Sequence, residues 1–375
     1  MQILPDFMSN IHPLIIHFPI ALLIIAVLAD LAANLFKKYE WLQPAALSLY
    51  TLGALGTVAA YLSGKQAADI VDLPTPSYPV ISEHADLALY TMLFFGIYAV
   101  IRLFLRWKSL DQKSLVSWGL FFIAAGGLFL VKATADHGGE LVYRFGVGTS
   151  AASVQNTEEN VQSTASGTKI ETTDNGSWTF ETGSDAALKF RQNFRLLKGS
   201  WDNLIVKNNQ APDGTPILEI STIGDQAFLL TFGPKLSNLQ ISARLNLDGF
   251  NGRFFLVHHV TGTDTYDFFV REKDKVRLGR KENGSVKIFD SGTYPEGSWL
   301  TLKAVSSSGH FRGYVDSDLV NHGHSSDLPA GESGIAIKGK GTIQLALIEV
   351  INLDEPETDS DEQNGSGHNE SGHSH

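Results

Sequence analysis

Four histidines near the N-terminal third of the chain carry the residue type best suited to chemistry: His12, His17, His84 and His137. Neutral imidazoles gathered between helices can ligate a b-type haem or hold a Zn, Cu or Fe ion. They are far apart in sequence, so only topology can bring them together. A haem would need two axial rings, a slot lined by small residues and cationic partners for its propionates. Ala124-Ala125-Gly126-Gly127, Gly53 and Gly56 offer small residues, and Lys132 and Arg144 offer cations. A metal ion would instead use His17, His84 and His137 with a carboxylate from Asp136, Glu140, Glu83 or Asp86. His12, beside Pro13 and ahead of the apolar run, also suits a headgroup-facing position. No His-Glu-x-x-His motif is present.

The elements that must position these rings are four apolar stretches, Leu14–Phe36, Trp41–Leu62, Ala85–Leu105 and Leu115–Val131. Each is near the ~20 residues that cross a bilayer, and together they predict an all-α four-helix transmembrane bundle. A cleaved signal peptide is disfavoured because Met1–Phe7 has no basic residue. Lys37 and Lys38 follow span one, and Arg102, Arg106, Lys108 and Lys113 surround the join of spans three and four. Positive-inside then puts both joins in the cytoplasm and both termini outside. On that topology all four histidines share the outer level. A charged or polar ring within a span is costly, which makes such rings functional candidates.

The rest of the chain divides by composition. Of the net charge of -11, residues 354–375 carry -7, with seven acidic and no basic residues. This tail reads as disordered, with His368, His373 and His375 either solvated or loosely binding Zn, Cu or Ni. Residues 149–177 are rich in Ser, Thr, Asn and Gln and read as a flexible tether. From 178 to 353 short alternating strands such as LQISARLNL, GRFFLVHHV and WLTLKAVSS are separated by turn signals such as ENGS and SSSGHF. That pattern predicts an all-β antiparallel jelly-roll sandwich. The domains are therefore 1–148, 149–177, 178–353 and 354–375. No Cys occurs, which excludes disulfides, thiolate metal sites and covalent c-type haem. The acidic balance without basic blocks argues against nucleic acid as a partner.

In the sandwich, no Glu-x-Asp-x-Glu run supports glycoside hydrolysis. His258 and His259 are adjacent and should point to opposite faces of a strand. His322 and His324 in NHGHSSD are metal-capable but read as a solvated loop, and Asp316 and Asp318 as a hairpin turn. Trp178, Trp201 and Trp299 suit sugar stacking or core packing.

IHPLIIHFPIALLI, the histidine opening span three, and ADHGGELVYRFGVG resemble the bacterial four-span membrane family termed domain of unknown function 2231, over residues 8–150. The resemblance implies that His12, His17, His84 and His137 are its motif histidines and that haem b binding and electron transfer are the role, with a redox partner protein or larger membrane complex. The sandwich resembles laminin-G/concanavalin-type jelly rolls, which implies a carbohydrate or protein ligand. The expectation is thus a multi-pass inner-membrane protein, cytochrome b-like, with a periplasmic sandwich, and an electron-transfer or binding subunit more than an enzyme. The alternatives are a nonredox anchor for a sugar- or protein-binding sandwich, or a metal-ion-handling protein.

Overall fold

The computed structural model describes residues 10–148 and 167–354 apart from positions 72, 112 and 296. The acidic tail, with its three histidines, and the tether over 149–166 lie outside the described residues.

Four helices come first: α1 (His12–Leu35), α2 (Leu42–Ile70), α3 (Tyr78–Trp107) and α4 (Ser114–Tyr143). All four are long and apolar enough to cross a membrane. α1 packs on α2, α2 on α3, α3 on α4, and α4 back on α1. Small and aromatic residues meet at the centre: Ala26, Ala46, Tyr50, Phe95, Tyr98, Ala99 and Ala124. Large apolar side chains such as Phe18, Leu28, Ile97, Val100 and Phe129 point outward. An apolar exterior over a small-residue interior suits lipid outside and close helix packing inside.

The helices run past the apolar stretches. α4 continues twelve residues beyond Val131, so His137 lies on a helix and not in a loop. α3 begins at Tyr78, seven residues before Ala85. Hydropathy ends where polar residues begin, but these segments keep helix formers and stay covered by neighbours. At the other end, Arg102 is not a loop charge: it is buried and holds Asp30 through both oxygens at 2.9 and 3.0 Å.

The second half is an antiparallel β-sandwich. Its strands open with β1 (Lys169–Thr172) and β2 (Trp178–Glu181), then helix α5 (Ala186–Asn193). Next are β3 (Arg195–Lys198), β4 (Leu204–Gln210), β5 (Pro216–Thr222), β6 (Ala227–Leu236) and β7 (Leu239–Asn246). β8 (Phe250–Gly262), β9 (Thr265–Glu272), β10 (Lys275–Glu282) and β11 (Ser285–Thr293) form a meander. β12 (Trp299–Ser307), β13 (His310–Val315), β14 (Asp318–His324) and β15 (Gly331–Asn352) close the order. β1 falls inside the stretch expected to be tether; pairing with β2 holds it.

β15 is the spine. Its first half pairs with β6 and β8, and its second with β5, β2 and β7. It passes between them at Gly339 and Gly341, both left-handed (φ 148 and 126). A Cβ at Gly341 would lie 2.1 Å from Gly249 O, so only glycine fits this crossing. The sequence ENGS forms the β10–β11 turn with Asn283 and Gly284 at φ 49 and 83. Trp178, Phe180, Phe228, Phe254 and Phe269 fill the core. The outermost strands β11 and β14 abut: Asp290 accepts from the His322 N–H at 2.9 Å.

Candidate functional site

The sandwich sits on the end of the bundle where the histidines lie, and the first turns of α3 form the joint. Tyr78, Ser82 and Asp86 recur at four-residue spacing, so they share one helix face. Lys303 donates to the Tyr78 hydroxyl (3.3 Å) and Arg312 to Ser82 Oγ (3.2 Å). Asp86 Oδ1 lies 3.4 Å from His310 Nε2. Thr75 adds a bond to Gln240 at 3.2 Å. Leu73, Tyr78, Ile81 and Leu141 from the bundle pack with Val305, Tyr314 and Leu353 from the sandwich.

The other directions of the same turn serve the bundle. His84 Nδ1 donates to the Thr134 carbonyl at 3.0 Å and lies within electrostatic range of His12 and His137. His12 Nδ1 is 3.0 Å from Ser63 Oγ, and its ring lies against Gly64. It packs on α2 and does not face headgroups alone. His137 has both nitrogens occupied, by the Ala133 carbonyl (2.9 Å) and Glu83 Oε2 (3.0 Å). In this arrangement neither lone pair is available to a metal.

His17 stands apart from these rings. It is exposed, and its Nδ1 meets the Pro13 carbonyl at 2.8 Å. A ring inside an apolar run needs a partner, but the carbonyl four residues back on its own helix supplies one. The propionate candidates are paired as well, Lys132 with Asp136 and Arg144 with Glu140 (2.6 Å). Of the candidate slot glycines, Gly126 has open space beside it, whereas Gly53, Gly56 and Gly127 do not. A Cβ at Gly53 would be 2.7 Å from Leu23, at Gly56 3.2 Å from Pro19, and at Gly127 2.2 Å from Phe94. Those spaces are filled by helix packing.

Among the described residues, the groups that gather three ligand atoms within 4.8 Å both lie in the sandwich. The first is His258, His259 and Asp267, all buried. The expectation of opposite faces fails because His259 is left-handed (φ 53) at an irregularity in β8. The extra residue breaks the strand alternation and brings the two Nδ1 atoms to 3.1 Å. His259 spends both nitrogens, on Asp267 (2.9 Å) and Ser237 O (2.8 Å), while Arg280 clamps Asp267 through both oxygens. Burial pushes Asp267 up, but the bonds from His259 and Arg280 outweigh it and leave it below the usual range. Burial, then His259, lowers His258 to about 3. This is a satisfied network that fixes the bulge.

The second group is His310, His322 and His324 on the β13–β14 hairpin. The pairing sets His310 opposite His324 and Arg312 opposite His322. The residues read as a solvated loop are therefore strand residues facing α3. Ring centroids are 4.5 Å (His310–His324), 4.8 Å (His322–His324) and 6.0 Å (His310–His322) apart. His310 Nδ1 and His322 Nε2 are buried without a hydrogen-bond partner. Burial, then Arg312, lowers His310 and His324 and takes His322 to about 3. Two of these histidines carry a sequence signal: His-x-His spacing puts both on one strand face. His310 joins only once the hairpin register is known.

Residues 8–151 match a protein family described as predicted membrane protein, DUF2231. No curated protein matches the chain. Solved structures with partial likeness include a carbohydrate-binding module, CBM66, from Bacillus subtilis. It is 16% identical, with TM-score 0.33, covering 41% of this chain and 94% of that one. Another is a Bacillus subtilis protein of unknown function with a galectin-like fold, at 11%, 0.34, 42% and 89% in the same order. A Caenorhabditis elegans galectin gives 16%, 0.27, 41% and 99%.

Taken together, the joint offers neutral imidazoles, one carboxylate and a buried guanidinium. This is an arrangement that can hold a cation or a polar ligand.

Proposed function

We propose that the protein is a membrane anchor presenting a ligand-binding sandwich on the outer face of a bacterial inner membrane. The observation that carries this is the joint: one face of α3 grips β12 and β13 by polar bonds and a buried apolar cluster. The bundle thus acts as a pedestal. Lys37, Lys38, Arg106, Lys108 and Lys113 at the far helix ends support placing that end in the cytoplasm and the sandwich in the periplasm. None of the described sandwich aromatics is exposed, whereas Val286 and Ile288 on β11 are. That favours a protein ligand over a sugar stacked on a ring. In spheroplasts of this Cys-free chain, Ser285→Cys should react with a membrane-impermeant maleimide and Lys38→Cys only after permeabilisation. The reverse pattern would overturn the placement.

Haem b with a redox partner is the second reading. His12 and His84 favour it, because each is anchored through Nδ1 in the manner that orients an iron ligand. The filled spaces at Gly53, Gly56 and Gly127 count against it, and the open one at Gly126 does not. A Soret band in protein from haem-replete cells, lost in His84→Ala, would establish haem; a colourless preparation would leave the anchor reading.

A further inference from the structure

We propose that His310, His322 and His324, with Asp86 of α3, form a site for a late first-row transition-metal ion, of the zinc or copper class, at the joint between bundle and sandwich. Three imidazoles on one hairpin face make a poor packing surface: each buried polar atom left unpaired is costly. His310 Nδ1 and His322 Nε2 are two such atoms. Imidazole nitrogens are the donors this class of ion selects, while Mg²⁺ and Ca²⁺ take oxygen. Three nitrogens bound to one zinc sit roughly 3.3 Å apart. The ligand atoms here lie within 4.8 Å of one another, a gap that modest ring rotations close.

The surroundings resemble those of a metal site. Asp86 against His310 supplies the carboxylate–imidazole pairing that orients such ligands. Asp290 pins the backbone of His322. His324 lies exposed at the strand end and gives the ion a way in. Arg312 and Lys65 are the cations that face the cluster. They oppose a bare dication, so the site should take an anionic fourth ligand from solution, with Asp86 held as the partner of His310. The inference is independent of what the sandwich binds.

Equilibrium dialysis of the full chain in detergent against Zn²⁺, with metal analysis, tests this. Wild type should hold one more zinc per chain than His324→Ala or His322→Ala. The tail histidines contribute equally to all three proteins. Asp86→Asn should weaken that site about 10–100-fold. Co²⁺ in the same site should give the visible bands of a four-coordinate ion in wild type only. His324 is exposed, so its replacement spares the core. Equal zinc stoichiometry and affinity in wild type and His324→Ala would overturn the proposal, as would a wild type holding no histidine-dependent zinc.

Discussion

Acid should unfold the sandwich through His258, and the size of the effect follows from its burial. The ring is 1% exposed, stacked beside Phe311 and faced by His259, Asp267 and Arg280. Its folded pKa is about 3, against 6.5 when free. Between those values the unfolded chain binds a proton that the folded chain refuses. Stability is therefore complete above 6.5 and falls as the pH drops toward 3. A pH of 5 lies ~1.5 units below the free value, which costs about 2 kcal/mol at 1.36 kcal/mol per unit. His258→Leu removes this titration and leaves the others in place. Thermal or denaturant unfolding of the full chain, followed through tryptophan fluorescence, should report it, since Trp178 lies in the sandwich core. Wild type should lose about 2 kcal/mol relative to the variant between pH 7 and pH 5. Parallel curves over that range would refute the assignment.

Two further outcomes follow from packing. Asp30→Leu should destabilise the bundle by about 3–5 kcal/mol by stranding buried Arg102, while Asp30→Leu with Arg102→Leu should recover most of it, measured by thermal denaturation in detergent; equal loss in both would contradict this. Gly334→Ala would put a Cβ 2.1 Å from Leu230 O, backbone against backbone, and should cost about 1–3 kcal/mol or more, whereas Gly262→Ala, with nothing within 4 Å, should not shift the melting temperature.

The architecture was legible because its two periodicities are strong. Four apolar runs declare spans, and period-two alternation with turn residues declares a sandwich. What could not be read were the departures from period. The polar end of α4 hid the fact that His137 is helical. A left-handed His259 brought together two rings that alternation separates. Gly53, Gly56 and Gly127 looked like room for a macrocycle, but they are where Leu23, Pro19 and Phe94 enter the neighbouring helix, and only Gly126 is open. The His310–His322–His324 group was half visible in the spacing of His322 and His324. Its third ring and Asp86 depend on strand register and on docking between distant parts of the chain.

That docking makes the segment Ser82–Asp86 the structural link between two histidine systems. Successive helical residues point about 100° apart. Ser82 and Asp86 therefore face the sandwich, while Glu83 and His84 turn toward α4, onto His137 and the Thr134 carbonyl. One turn of helix cannot rotate to improve one set without loosening the other. Asp86 meets His310 from the same turn that carries the His84 ring. The link is mechanical and short, and it does not require an electron to cross it. A metal at the hairpin would tie the sandwich to the bundle through Asp86.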